Sequence, residues 1–363
     1  MPSHLETEFQ TLHEIVKAAR TNLSHGDWDY LVGGTETETT LRRNRYALDK
    51  QAFRPRVLRD VSQVDASTTF LGRRLRLPLM LAPIGSIENF TEGGGATAAQ
   101  AAAEFGVAQM LSSVCKPGLE AVAAAGDNLR LFQLYVRGDQ AWVDDTVQRA
   151  IDHGYSAFAL TVDTAWYSRR ERDIIKRFVK PWRQGVGGMD FQRRLNWDDV
   201  KRFKDTHPIP LVLKGIATAE DAALACEHGV DYVHVSNHGG RQLDHGVGGL
   251  DVLPQVVAAV AGRAGVIFDG GIMRGSDLVK AMALGADAVA IGRLTCLGLA
   301  AAGQAGLVRA LEILEDEVQI CLGLLGVRNF EELDASYLTT ADVVTPPHAL
   351  SAFPMLDPTD SGY

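Results

Sequence analysis

A (β/α)8 barrel is the fold this sequence predicts, on three observations. Eight short apolar runs of strand length recur along the chain, stretches of helical period separate them, and nearly every run ends in a polar residue or a glycine. Strands alternating with helices imply a parallel sheet. Eight such units in roughly 230 residues match a closed barrel. The competing fold is an open doubly wound sheet, which usually wants a first turn of G-x-G-x-x-G form. The chain contains no such turn.

The strand runs fall at 77–85, 106–113, 129–136, 157–164, 210–216, 232–239, 265–271 and 288–293. Between them, 95–104, 140–153, 219–228, 251–260 and 277–284 repeat apolar residues at helical spacing. Residues 1–50 read as two helices placed to cover the bottom of the barrel. The connection 171–197 is charged at its start and Gly-rich in its middle (Gly185, Gly187, Gly188), and reads as a mobile cover. Residues 341–363 hold four prolines and read as an extended tail. One domain is expected over 1–363, with a barrel core at about 77–325 and no second globular unit.

The chain has 363 residues, 46% hydrophobic and 22% charged, which fits a soluble protein with a large core. Length alone allows two or three domains. The net charge of −9 and the scattered basic residues argue against a nucleic-acid surface. Cys115, Cys226, Cys296 and Cys321 form no C-x-x-C pair, so neither a zinc site nor a disulfide framework is expected. Free thiols fit a reducing cytoplasm. The first residues lack the basic start and apolar core of a signal peptide, and the last three are no peroxisomal address. The longest uncharged apolar stretch, 294–308, is too short to span a bilayer, so no membrane partner is expected.

In such barrels the active site lies at the C-terminal ends of the strands. Those tips carry Gly85 and Ser86, Ser112, Gln133 and Tyr135, Thr161 and Asp163, then Lys214. Ser236, His238 and Arg241 follow, then Asp269, Gly270 and Gly271, and last Gly292 and Arg293. Taken singly, each has a bland reading. His238 is a satisfied core histidine, Lys214 an ion-paired lysine, Arg170 and Arg241 surface arginines, Tyr30 and Tyr135 core aromatics. A full ring of them is hard to explain by stability alone. Glycines baring N–H groups beside Arg293 suit a phosphate. Asp163 on the same rim can fix the tautomer of His238 and make it a better base. Arg170 and Arg241 together favour a carboxylate.

These residues resemble a known family. Ser236–Asp244 is similar to the signature of the FMN-dependent α-hydroxy acid oxidases and dehydrogenases, which include glycolate oxidase, lactate oxidase and mandelate dehydrogenase. Phe53-Arg54-Pro55-Arg56, Phe132-Gln133-Leu134-Tyr135, Thr161-Val162-Asp163-Thr164, Arg169-Arg170-Glu171, Leu213-Lys214-Gly215, Asp269-Gly270-Gly271 and Ile291-Gly292-Arg293 agree with it, in order. The likeness runs from about Leu12 to about residue 335.

The resemblance implies FMN as cofactor and oxidation of an L-2-hydroxy acid to the 2-keto acid. It makes His238 the base and Asp163 its partner. Arg170, Arg241, Tyr30 and Tyr135 would bind the substrate carboxylate. Pro83, Ile84, Gly85, Ser112, Gln133, Thr161, Lys214 and Ser236 would lie around the flavin ring, with Asp269 on the ribityl chain. Gly270, Gly271, Gly292, Arg293 and Arg274 would form the phosphate end. Oxygen or a soluble carrier would reoxidise the flavin, and the assembly would be a homotetramer.

The sequence departs from the family at several points. Met273 stands where the first of two arginines is usual, which leaves Arg274. The loop at Thr91–Gly95 lacks the usual His-Pro-Glu-Gly-Glu, Val114 replaces a bulky aromatic, and the connection after the fourth strand is short. A roomier pocket follows, for a larger or aromatic 2-hydroxy acid. Gly85 resembles the dehydrogenases more than the oxidases. Two rival classes stay open. One is an FMN barrel enzyme acting on an amine or a modified peptide, and the other is a non-catalytic binder of flavin or a phosphate ligand.

Overall fold

The computed structural model describes residues 4–178 and 187–356. Four helices come first: α1 (His4–Glu8), α2 (Leu12–Asn22), α3 (His25–Val32) and α4 (Thr39–Asp49). Strand β1 (Gln51–Phe53) and the hairpin β2 (Thr68–Phe70) and β3 (Arg73–Leu75) follow. The barrel strands are β4 (Leu79–Leu81), β5 (Ala108–Ser112), β6 (Arg130–Leu134), β7 (Ala157–Thr161), β8 (Leu211–Ile216), β9 (Tyr232–Val235), β10 (Gly265–Asp269) and β11 (Ala288–Ile291). All pair in parallel, and β11 closes onto β4. Each lies inside one of the eight expected runs.

The connections hold α5 (Gly95–Phe105), α6 (Leu119–Ala123), α7 (Gln140–Asp152), α8 (Glu171–Ile175), α9 (Met189–Arg194), α10 (Trp197–Thr206), α11 (Ala219–Glu227), α12 (Gly249–Val260), α13 (Gly275–Ala283) and α14 (Arg293–Leu325). β12 (Leu338–Thr340) pairs antiparallel with β1. Local chemistry sets several starts. Asp139 caps α7, Thr218 caps α11, and Asn196 with Asp199 forms a capping box on α10. Each cap contributes about 1 kcal/mol. Helix α14 is long and apolar enough to cross a bilayer by length and composition. It breaks its helical geometry at Ala302 and Gly303, and 67% of its apolar window is buried against the protein.

Two cores result. One lies between strands and helices. The other fills the barrel with Met80, Met110, Leu131, Val212 and Ile267, and the hairpin residues Phe70 and Leu75 join it from below. Burial of each of those two side chains stabilises by about 1.5–3 kcal/mol. The β2–β3 hairpin therefore plugs the bottom, a role the sequence assigned to residues 1–50. Among the described residues 4–50 there are four helices, not two, and α3 and α4 reach the mouth. Tyr30 on α3 donates to Gly85 O at 2.8 Å, and Asn44 on α4 bonds Asn237.

The connection 171–197 also departs from expectation. It holds α8 and α9 rather than a structureless loop. The buried side chain of Gln192 on α9 ties it down, accepting from Val136 N and donating to Thr161 O, both at 2.7 Å. Gly185 lies outside the described residues. The tail docks instead of trailing: Phe353 is buried and meets the His13 ring edge-on at 5.5 Å.

Candidate active site

The C-terminal ends of the strands and α3 enclose a cavity of about 1,210 Å³, counted out to its open mouth. The loop after β9 turns sharply into it. His238 has φ 60°, and Gly239 and Gly240 follow in the same left-handed region at 64° and 74°. A Cβ on Gly240 would meet Leu41 N at 2.5 Å, so glycine is required there. The turn is braced from below, where His238 N donates to Ser236 Oγ at 3.0 Å, and from the side by the Asn44–Asn237 pair.

His238 Nδ1 lies 3.0 Å from Asp163 Oδ1, and Nε2 lies 3.3 Å from the Tyr135 hydroxyl. Gly215 makes room for this, since a Cβ there would meet Asp163 Cβ at 2.7 Å. Burial pushes the His238 pKa below its usual 6.5, and Asp163 offsets part of that. The ring is therefore neutral at pH 7, with Asp163 accepting from Nδ1–H and the Nε2 lone pair left for a proton.

Arg170 and Arg241 meet on the same wall. Arg170 Nε donates to Arg241 O at 3.2 Å, and Arg241 Nη1 donates to Gly33 O at 2.9 Å while its guanidinium stacks 4.8 Å above Tyr30. Arg293 donates to Leu31 O and Gly33 O, at 3.1 and 2.9 Å. Burial first, then Arg241, bring the Arg293 pKa down to about 9. Cations held on carbonyls and crowded by one another form a site for anions. Burial pushes the Tyr30 hydroxyl up to about 12, so it remains a donor.

Lys214 faces the cavity from β8. Its Nζ donates to Ser236 Oγ at 2.9 Å and pairs with Asp269 Oδ2 at 3.1 Å. Ser236 in turn donates to Asp269 Oδ1 at 2.6 Å. Burial pushes the Asp269 carboxyl up, but Lys214 outweighs it and holds the group far below the usual carboxylate range.

Of the expected residues, Tyr30, Pro83, Ile84, Gly85, Tyr135 and Arg170 line the cavity. Lys214, His238, Arg241, Asp269, Gly270, Gly271, Gly292 and Arg293 line it as well. Asp163, Ser112, Gln133, Thr161 and Ser236 sit just behind the wall. Gln133 Nε2 donates to Thr161 Oγ1 at 2.7 Å. Arg274 is a correction. It caps α13, pairs with Glu317 at 2.6 Å and does not line the cavity, whereas Met273 does. Arg274 is drawn away instead by its ion pair with Glu317 on α14 and its place at the start of α13. Sequence reasoning missed Gln242, which takes a bond from Arg170 and donates to Asp163 O, although it lies inside the quoted signature. It also missed Gln192 and Asn44, for which no motif gives a signal.

The arrangement fits a flavin mononucleotide. Gln133 Oε1 is buried with no hydrogen-bond partner among the described residues, as a carboxamide awaiting a ring N–H would be. Gly270 and Gly271, at φ 132° and 92°, keep the floor free of side chains. Gly292 at the start of α14 leaves that helix without a side-chain cap, beside Arg293.

The fold and site define a flavin-dependent oxidoreductase barrel, and comparison with known proteins gives its family. The chain belongs to the FMN-dependent dehydrogenase family, whose model matches residues 19–340, and FMN is its cofactor. It is similar to the L-lactate oxidase of Nostoc sp., at 41% identity over 90% of this chain and 97% of that one. It is similar to the glycolate oxidase of Spinacia oleracea, at 38% over 91% and 96%. Among solved structures it resembles mandelate oxidase, with TM-score 0.85 and 38% identity over 92% of this chain and 98% of that one. A mandelate oxidase variant with a C4a-OH-FMN adduct superposes with TM-score 0.84 at 39% identity, over 91% and 100%.

Proposed function

We propose that the protein oxidises a larger or aromatic L-2-hydroxy acid to its 2-keto acid, with oxygen or a soluble carrier as the final acceptor. The observation that carries this reading is the convergence of His238, Arg170 and Arg241 on one cavity. Bound FMN would supply the two-electron acceptor.

The chain's own residues would do the rest. Arg241 and Arg170 hold the substrate carboxylate, and the Tyr135 hydroxyl donates to it, as does Tyr30 on turning its hydroxyl from Gly85 O. His238 Nε2 takes a proton from the bound hydroxy acid as the electron pair leaves it. Asp163 keeps the second proton on Nδ1 and stabilises the imidazolium that forms. Lys214 offers positive charge toward the cofactor ring, and Arg293 with the Gly292 N–H faces the phosphate.

The size of the substrate is supported by the small Val114 and the apolar Phe90, Trp166 and Met189 on the cavity wall. One structural neighbour is a mandelate oxidase variant with (S)-mandelic acid. The free thiols support a cytoplasmic setting, and the resemblance supports a homotetramer. Steady-state kinetics on glycolate, lactate and mandelate, with oxygen uptake recorded, test the reading. Preference for mandelate is expected, and preference for glycolate would overturn it. The rival readings predict no reaction with any of the three.

A further inference from the structure

One buried imidazole has no part in the chemistry above. His234 on β9 is fully buried inside the barrel, at a layer where apolar side chains are the rule. It pairs in register with Lys214 on β8 and with Ile267 on β10. Its Nε2 lies 3.0 Å from Asp269 Oδ2, a close contact in which neither ring nitrogen lines up a full hydrogen bond among the described residues. Lys214 Nζ meets that same oxygen at 3.1 Å. A polar ring in this position costs free energy unless it interacts with its neighbours.

The shared oxygen gives His234 a task. A lone pair on Nε2 would face the carboxylate, so Asp269 selects the Nε2–H tautomer. That N–H dipole draws negative charge away from Oδ2, the oxygen that neutralises Lys214. Burial lowers the His234 pKa more than Asp269 raises it, and Lys214 lowers it further, so the ring stays neutral beside this ion pair. Lys214 lines the cavity and His234 does not. His234 therefore acts only through its neighbours.

We propose that His234 is a positioning residue that sets how much of the Lys214 charge reaches the cofactor, by sharing Asp269 Oδ2 with it. The inference rests on the functional reading above only in that Lys214 faces bound flavin. Its readout is the reduction potential of that flavin, so it stays measurable even if no 2-hydroxy acid proves to be a substrate.

The test compares FMN-loaded wild type, His234→Leu and His234→Gln by equilibration with reference dyes. Without the ring N–H, Asp269 draws Lys214 harder and the reduced flavin loses stabilisation. The Leu variant should fall by about 30 mV, a tenfold change in the two-electron equilibrium. The Gln variant keeps a donor and should stay near wild type. An unchanged Leu variant overturns the proposal, and so does a Gln variant that falls as far as Leu. Should a variant not retain flavin, nitrogen NMR of His-labelled wild type decides. A neutral Nε2–H ring that does not titrate near neutral pH is expected. The Nδ1–H tautomer, or an ordinary titration, refutes it.

Discussion

His238 and Asp163 stand 75 residues apart in sequence, yet Nδ1 of one lies 3.0 Å from Oδ1 of the other. That contact fixes which nitrogen faces the cavity. Replacing His238 by Ala should cut turnover by about 10²–10⁴-fold, the usual worth of a positioned base. The variant should still be isolated yellow, since His238 is not needed to hold FMN. Rapid-mixing absorbance with excess substrate measures this.

The pH profile should carry the same signature. The neutral ring is the base, so activity is present above the His238 pKa and lost as pH falls through it. Burial keeps that pKa below 6.5, which places the acid limb of kcat/KM below pH 6.5. Asp163 favours the charged ring. Asp163→Asn should therefore shift the limb to lower pH while lowering kcat through the wrong tautomer.

At the phosphate end, Met273 lines the cavity while Arg274 turns away to Glu317. Met273→Arg adds a charged donor there and should tighten FMN binding by about 10–100-fold, the worth of one hydrogen bond to a charged group. Riboflavin, which has no phosphate, should bind both forms alike. Flavin fluorescence titration of the apoprotein distinguishes the two.

Stability should respond sharply to one pair. Arg45 makes two bonds of 2.7 Å to Asp277, which also accepts from Met273 N and Arg274 N. Both side chains are buried, at 6% and 1% exposure. Asp277→Ala takes the bidentate partner from the Arg45 guanidinium, leaving it Asp49 at 2.6 Å, and strands the Met273 and Arg274 N–H groups, which should cost about 1–3 kcal/mol in urea unfolding. Arg45→Met with Asp277→Asn removes both charges while keeping an acceptor for the Met273 and Arg274 N–H groups, and should recover part of the loss.

Pocket size can be probed at Val114, which lines the cavity. Val114→Trp should lower kcat/KM for mandelate by about 10–200-fold, the discrimination a hydrophobic pocket wall provides. Glycolate should be affected far less.

Barrel strands and the rim residues were legible because each is a local signal, an apolar run ending in a polar residue or glycine. The phosphate end was legible only in part. Motif spacing placed Arg274 there, but its side chain turns to Glu317, a partner 43 residues further along that the local motif does not display. The N-terminal helices were misplaced for a related reason. Their packing partners, such as Gly85 for Tyr30 and Asn237 for Asn44, lie far along the chain. The barrel plug is a three-residue pair of strands, too short for periodicity to reveal. His234 drew no notice because, within an apolar run, its significance depends on Asp269 from the neighbouring strand.

The central claim is that this barrel aims one imidazole and two guanidinium groups at a 2-hydroxy acid over FMN. Anaerobic mixing of the yellow protein with a panel of 2-hydroxy acids tests it most directly. The account predicts rapid bleaching of the flavin by at least one large or aromatic member, slowed by about 10²–10⁴-fold in His238→Ala. A flavin that stays oxidised with every acid, or bleaches equally fast without His238, would contradict it.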